Sequence, residues 1–204
     1  MKPYPTLAVL EFASIADGIC CTDALLKKAP IAMIKSGTVS HGRYLIIFGG
    51  STAAVEESLN EALAVGQASQ LDYAFLPDVH AQVHDAVLGQ RLPMQQDAVA
   101  VLETATVAAN VRAAELALKG ANVRLVELRL AEYEMSGKAI SLFNGELPEV
   151  EAAMEIAADF LRGRKEYVQH RIICQPHEAL TQHLTDGTRF AAANPRELEG
   201  EEVS

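Results

Sequence analysis

Histidine and cysteine are the residue types in this sequence best able to ligate a metal or attack a substrate. His80 and His84 stand four residues apart, which places two imidazoles on one face of a helix, where they could bind a divalent metal. A pair of surface histidines is the other interpretation. Cys20 and Cys21 are adjacent in a predicted helix, so at most one can face a core. With Cys174 they form no CxxC motif, and we expect reduced thiols.

Short catalytic and nucleotide-binding motifs are missing from the sequence. It contains no GxGxxG, GxxxxGK[ST], HExxH or GxSxG pattern. Gly49 and Gly50 are explained by a turn between a strand and a helix. We therefore predict a protein that is not an enzyme and carries no cofactor. An enzyme built on the His80/His84 pair or on His41 would need a bound metal.

Composition limits the class of protein and its partners. The chain has 204 residues, half of them hydrophobic, with 27 acidic and 17 basic side chains and a formal net charge of −10. Nucleic acids and anionic membranes bind to clusters of lysine and arginine, so neither is an expected partner of this acidic chain. No apolar run approaches the roughly 18 residues that cross a bilayer, and the start lacks an apolar signal region. We expect a soluble, cytoplasmic protein.

The sequence is a duplication. Residues 6–16, TLAVLEFASIA, return as AVAVLETATVA at 98–108, a displacement of 92, and 42–50 correspond to 137–145 after a short insertion. A period of this length encodes whole domains rather than short repeats. We predict a first domain at 1–92, a second at 96–186 and a mobile acidic tail at 187–204, with a short polar link between the copies.

Each copy has the pattern of a small α/β domain. Strand and helix signals alternate as β-α-β-β-α-β with a trailing helix, which predicts two tandem ferredoxin-like α+β sandwiches. Ser14 and Thr106 are predicted N-caps, and Pro148 suits a first helical turn. The helix stripes expected to face the core are Ile15, Ile19, Thr22 and Leu26, then Val55, Leu59 and Ala62, then Val107, Val111, Ala114 and Leu118, and finally Val150, Met154, Ala157 and Leu161.

These features together resemble one family. Leu10-Glu11 and Leu102-Glu103 open matching strand-to-helix turns, and they are followed by the segment Asp23–Lys27, the glycine-flanked strand 42–50 and the ending Gln175-Pro-His-Glu. Their order and duplication over residues 6–185 resemble bacterial microcompartment shell proteins of the unpermuted tandem-domain class. The resemblance implies a homotrimer in which six similar domains surround a central opening. Such flat tiles join other shell proteins, enclose enzymes and pass small metabolites.

The resemblance also implies which residues line the opening. These are Thr38, Val39, Ser40, His41 and Gly42 in the first copy and Glu132, Tyr133, Glu134, Met135 and Ser136 in the longer loop of the second. On a three-fold axis His41 would supply three imidazoles, which could bind a metal, titrate or simply form a polar rim. Glu132 and Glu134 could favour cations or be ordinary surface carboxylates. Ser40 replaces a cysteine that supports an iron–sulfur cluster in some relatives, so we predict no cluster.

The tile edge is a second implied site. Lys27 and Lys119 match the family's edge lysine, although lysines near helix C-termini are also favoured by the helix dipole alone. Residues of the two terminal motifs complete the predicted edge: Asp78, His80, Gln175 and His177. Gln175 departs from the arginine usual in the family, which removes a multidentate donor.

The sequence is also compatible with a function of a different class. A tandem ferredoxin-like regulatory module could bind a small molecule between its two copies without forming any shell. A metabolite-dependent thermal shift without assembly would favour it.

Overall fold

A computed structural model describes residues 4–95 and 98–196. The acidic end of the predicted tail, 197–204, lies outside these residues. The strands are β1 (Thr6–Phe12), β2 (Met33–Val39), β3 (Arg43–Gly50), β4 (Gln70–Leu76), β5 (Ala98–Thr104), β6 (Arg124–Leu130), β7 (Ala139–Gly145) and β8 (Tyr167–Ile173). The helices are α1 (Ile15–Lys28), α2 (Thr52–Val65), α3 (Ala81–Val87), α4 (Val107–Gly120), α5 (Leu147–Leu161) and α6 (Glu178–Asp186).

Each copy forms a four-stranded antiparallel sheet. The strand order is β2-β3-β1-β4 in the first copy and β6-β7-β5-β8 in the second. The register is nearly the same in both, since Val9 pairs with Ile47 and its counterpart Val101 with Leu142. This topology confirms the predicted fold class, two tandem ferredoxin-like domains with a trailing helix each.

The predicted caps fix where the matching helices begin. Ser14 Oγ accepts a hydrogen bond from Asp17 N at 3.2 Å, and Thr106 Oγ1 accepts one from Ala109 N at 3.3 Å. Pro148 lies in the first turn of α5, where its missing N–H costs nothing. These helices therefore start at the same point of each copy.

Three of the four predicted helix stripes are buried, and the stripe of α1 is not. The stripes of α2, α4 and α5 all lie in the core. In α1 the buried residues are Gly18, Cys21 and Leu25, whereas Ile19 is 55% exposed and Ile15 and Leu26 are also exposed. The expectation for α1 was therefore wrong by one helical position, because this helix has a second apolar face that its own sheet does not cover.

The two copies share a hydrophobic core, and the first copy has a second, separate core between its sheet and helices α1 and α2. Val83 and Val87 of α3 belong to the same buried cluster as Val107 and Val111 of α4. Helix α4 packs against β4 of the first copy as well as against its own sheet. The polar link is also attached to the second copy, since Leu92 N donates to Val126 O at 3.0 Å. No helix in the described ranges is both long and apolar enough to cross a membrane.

Candidate pore loops and the junction between the copies

The two predicted pore loops lie against each other within one chain. Ser40 begins the short 3₁₀ turn after β2, and its hydroxyl donates to Ala131 O and accepts from Gly137 N, both at 2.8 Å. Its backbone N–H also donates to Ala131 O. The Ser40 side chain is buried by these contacts, so it joins the loops and is not presented to solvent.

Both loops turn through two successive left-handed residues. These are His41 and Gly42, with φ of 64° and 67°, and Ser136 and Gly137, with φ of 49° and 82°. The His41 side chain is exposed. Across residues 4–95 and 98–196, no cluster of three or more His, Cys, Asp or Glu side chains is arranged to hold a metal ion.

The carboxylates of the second loop are paired with arginines. Arg129 at the end of β6 contacts Glu132 at 3.0 Å and Glu134 at 3.4 Å, and Arg189 contacts Glu132 from the other side. Burial acts to raise the pKa of Glu132, but hydrogen bonds from Arg189 and Arg129 outweigh burial and hold it below its ordinary value. Tyr133 is 94% exposed at the tip of the loop.

Arg43 connects the first copy to two backbone carbonyls of the second. Its Nη1 donates to Ala105 O at 2.8 Å and to Gly137 O at 3.0 Å. A Cβ on Gly137 would lie 2.7 Å from Arg43 Cζ, so the guanidinium packs directly on the glycine. Arg43 therefore fixes the second loop against the start of β3.

Glu11 places a carboxyl group in the middle of the junction. It is fully buried, its Oε2 accepts from Ala108 N at 3.0 Å in the first turn of α4, and its Oε1 has no hydrogen-bond donor among the described residues. Arg43 Nη1 is 3.8 Å away. Burial is the main cause that raises the pKa of Glu11 to about 7. Nearby, Thr106 Oγ1 donates to Asp72 Oδ2 at 2.6 Å.

The predicted edge residues fall into two groups. Lys119 Nζ donates to Asp78 O at 2.9 Å, and the Glu115 carboxylate accepts from His80 N at 2.9 and 3.1 Å, so these residues meet at the junction between the copies. Lys27, Gln175 and His177 are exposed, and Lys27 pairs with Asp23 at 2.5 Å. The edge role of all six remains a prediction.

The histidine pair of α3 is not a pair of surface side chains. His80 is the N-cap residue, and its Nδ1 accepts from Gln82 N at 3.3 Å. His84 is buried, with its Nδ1 2.9 Å from Asp85 Oδ1 and its ring beside Tyr4. The surface interpretation is wrong for His84, because α3 packs into the shared core.

A groove of about 390 Å³ lies between the copies beside the loops. Its floor includes Leu45, Ile47 and Leu128, and its rim includes Lys35 and Arg189. It is a space formed jointly by the two copies, as the regulatory alternative requires.

Sequence reasoning missed most of the charged residues that build this junction. Arg43, Glu115, Arg129 and Arg189 were not expected to contact the loops or the other copy. Arg43 and Arg129 lie at strand ends next to the loops, and this position in the sequence could have indicated that they contact the loops. Arg189 lies in the stretch predicted as a mobile tail, where the sequence offers no such indication.

Fold, loops and junction define a tandem α/β protein whose two copies are joined head to tail. The BMC domain family model matches the chain twice, over residues 6–79 and 98–176. The bacterial microcompartment shell protein PduT of Citrobacter freundii is 30% identical over 181 residues, which cover 89% of this chain and 98% of that protein. A microcompartment protein from Desulfitobacterium hafniense DCB has a TM-score of 0.76 at 30% identity, covering 87% of this chain and 98% of that one.

A further structure shares the fold. A fused permuted hexameric shell protein from the RMM microcompartment has a TM-score of 0.55 at 22% identity, covering 77% of this chain and 84% of that one. The chain belongs to the BMC domain family and carries the domain in tandem. The resemblance to tandem-domain microcompartment shell proteins is thereby confirmed.

Proposed function

We propose that this protein is a structural shell protein of a bacterial microcompartment in the cytoplasm, and that three chains close into a pseudohexameric tile. Its role is to assemble with other shell proteins and to restrict which small molecules cross the shell; it catalyses no reaction. The observation that carries this proposal is the head-to-tail junction between the copies. The first copy uses the side formed by α3 and β4, and the second copy uses the side formed by α4 and β6. The counterparts of these two sides are not used within the described part of the chain, so they are free to form the same junction with neighbouring chains.

The apolar surfaces of the two copies support the same contact between protomers. Val111 in α4 is fully buried, partly by the first copy, while its counterpart Ile19 in α1 is 55% exposed. At the other end of the chain, α6 has no buried residue, although its counterpart α3 is largely buried against the second copy. An exposed apolar helix face and an uncovered terminal helix are what a second copy of this junction would bury.

The polar residues repeat in the same way. Glu103 is the counterpart of Glu11, and Lys138 the counterpart of Arg43, yet in the chain these two form an exposed pair with each other at 2.6 Å. We infer that in the ring Glu103 caps α1 of the neighbouring protomer and Lys138 reaches that protomer's first loop. Head-to-tail contacts of this kind close into rings when the rotation permits.

Mass measurement by light scattering tests the ring. We expect a trimer for the wild type and loss of the trimer in Ile19→Asp, because a carboxylate would be buried at the junction between protomers. Val65→Asp is the matched control, since Val65 is 50% exposed at the end of α2 and no junction is assigned to it. A trimer that survives Ile19→Asp, or a wild type that stays monomeric at every concentration, would overturn the proposal.

The opening is the second part of the proposal. If the two loops border it, His41→Ala and Glu134→Ala should leave the trimer intact and change only permeability or ion binding. Collapse of the trimer in either variant would mean that the loops lie elsewhere.

The regulatory alternative is supported by the groove between the copies. It predicts a thermal shift with a small metabolite and no higher assembly. Sheets or rounded shells in negative-stain micrographs of the protein with co-expressed shell partners would favour the tile instead.

A further inference from the structure

We propose that Arg189 positions the second loop and sets its charge, so that the segment after α6 determines which ions the opening admits. This inference rests on the proposed function, in which the second loop borders the opening. Arg189 would be a positioning and selectivity residue in a segment that the sequence marks only as a tail.

Arg189 holds Glu132 with a two-pronged contact. Its Nε donates to Glu132 Oε2 at 2.7 Å, and its Nη2 donates to Oε1 of the same carboxylate. Its Nη1 also lies 3.3 Å from Glu127 Oε1. A bidentate guanidinium–carboxylate pair fixes orientation as well as charge, which a single lysine contact does not.

Arg129 contacts the same carboxylate from the sheet, and we call Arg129, Glu132 and Arg189 together the clamp. Arg129 is almost fully buried, its Nη2 and Nε contact Glu132 at 3.0 and 3.2 Å, and its Nη1 donates to Thr188 O at 3.2 Å. One carboxylate, Glu132, is therefore shared by a guanidinium of the sheet and one of the C-terminal segment. The loop cannot move away without breaking both pairs.

The segment that carries Arg189 is itself fastened to the sheet. Arg91 donates to the carbonyls of Leu184, Thr185 and Asp186 at the end of α6, at 2.8 to 3.1 Å. Thr188 Oγ1 donates to Glu127 Oε2 at 2.9 Å. The position of Arg189 is thus set by contacts other than its own, and isolated surface ion pairs lack this support.

The clamp balances the charge beside the loop. Glu127, Glu132 and Glu134 face Arg91, Arg129 and Arg189 in the same network. Removing Arg189 leaves one uncompensated carboxylate per chain, and a three-fold axis would repeat that change around the opening. Within the described residues, His41 in the first loop is not paired with an arginine in this way.

Hydrogen exchange of the amides in 131–137 measures the positioning role. We expect Arg189→Ala to speed exchange by about tenfold, Arg189→Lys to restore it only in part, and Arg196→Ala to have no effect. Arg196 is the matched control because it lies in the same segment but pairs with Asp186. Unchanged exchange in Arg189→Ala would overturn the positioning role whether or not the chain is trimeric, since the clamp lies within one chain.

Binding of hexaamminecobalt(III), measured by calorimetry on the trimer, tests the charge role. We expect Arg189→Ala to bind this trivalent cation about tenfold more tightly than the wild type, and Arg189→Ala/Glu132→Gln to return to the wild-type value. Equal binding by all three trimers would overturn the assignment of selectivity to Arg189. Failure of the wild type to form a trimer would instead refute the proposed function. The positioning role of Arg189 would then be tested by hydrogen exchange alone.

Discussion

At the scale of single residues, Glu11 shows how the junction uses a buried carboxyl group. Its Oε2 accepts from the first turn of α4, where the partial positive charge of a helix N-terminus favours a carboxylate. Its Oε1 lies without a donor among the described residues, and burial favours the neutral form. The second effect wins, so protonation of Glu11 stabilises the junction.

This predicts a specific pH dependence. The pKa of Glu11 is raised from 4.5 to about 7 on folding, so its contribution to stability is complete below pH 4.5 and is lost as the pH rises through 7. The free energy of unfolding of wild type relative to Glu11→Gln should fall by about 3 kcal/mol across that range. Urea unfolding at several pH values measures it.

Glu57→Gln provides the comparison, because Glu57 is exposed on α2. Its profile shows what replacing a surface glutamate by glutamine does by itself. A Glu11→Gln profile parallel to that of the wild type would show that the buried carboxyl group does not titrate in this range.

At the scale of elements, the two loops are counterparts with different surroundings. Gly42 and Gly137 both have a positive φ, but a Cβ on Gly42 would meet nothing within 4 Å, whereas one on Gly137 would press on Arg43. Gly42→Ala should therefore cost about 1 kcal/mol of backbone strain. Gly137→Ala should cost about 1 kcal/mol more, because the Arg43 guanidinium must move away and weaken its hydrogen bonds to Ala105 O and Gly137 O.

Chemical denaturation of the two variants measures this difference. Equal costs would mean that Arg43 yields without loss and that the guanidinium does not hold the loop. Because the strain is common to both positions, only the contact with Arg43 is compared.

The elements also show what sequence alone could predict. The duplication follows from comparing the two halves of the sequence. The order of strands and helices along the chain and the stripes of α2, α4 and α5 follow from local periodicity. Helix α1 failed because Ile15, Ile19 and Leu26 form a second apolar face, and periodicity cannot rank two faces. The contacts of Arg43 and Arg189 with the loops join residues far apart in sequence, so no local pattern carries them.

At the scale of the whole molecule, the exposed lysines bear on how tiles meet. Lys27 and its neighbour Lys28 both lie at the end of α1 and form exposed pairs with Asp23 and Glu61. Such pairs contribute little to stability, so Lys27→Ala should leave the trimer intact. If Lys27 lies at the tile edge, this variant should form fewer sheets in negative-stain micrographs, while Lys28→Ala should assemble like the wild type.

Normal sheets from Lys27→Ala would contradict this assignment and place the lysine away from the contact between tiles. Dissociation of the trimer by this single change would show that Lys27 is essential between protomers, where it is the counterpart of Lys119 beside Asp78 within the chain.

The shared core between the copies has a kinetic consequence for assembly. Every second junction of the proposed ring lies within one polypeptide. Its two domains are covalently linked, so their effective concentration stays high however dilute the protein becomes. Only the alternate junctions depend on encounters between separate molecules. Dilution should therefore dissociate the ring into intact pairs of fused domains and never into single ones, so a newly made chain is already a finished building block.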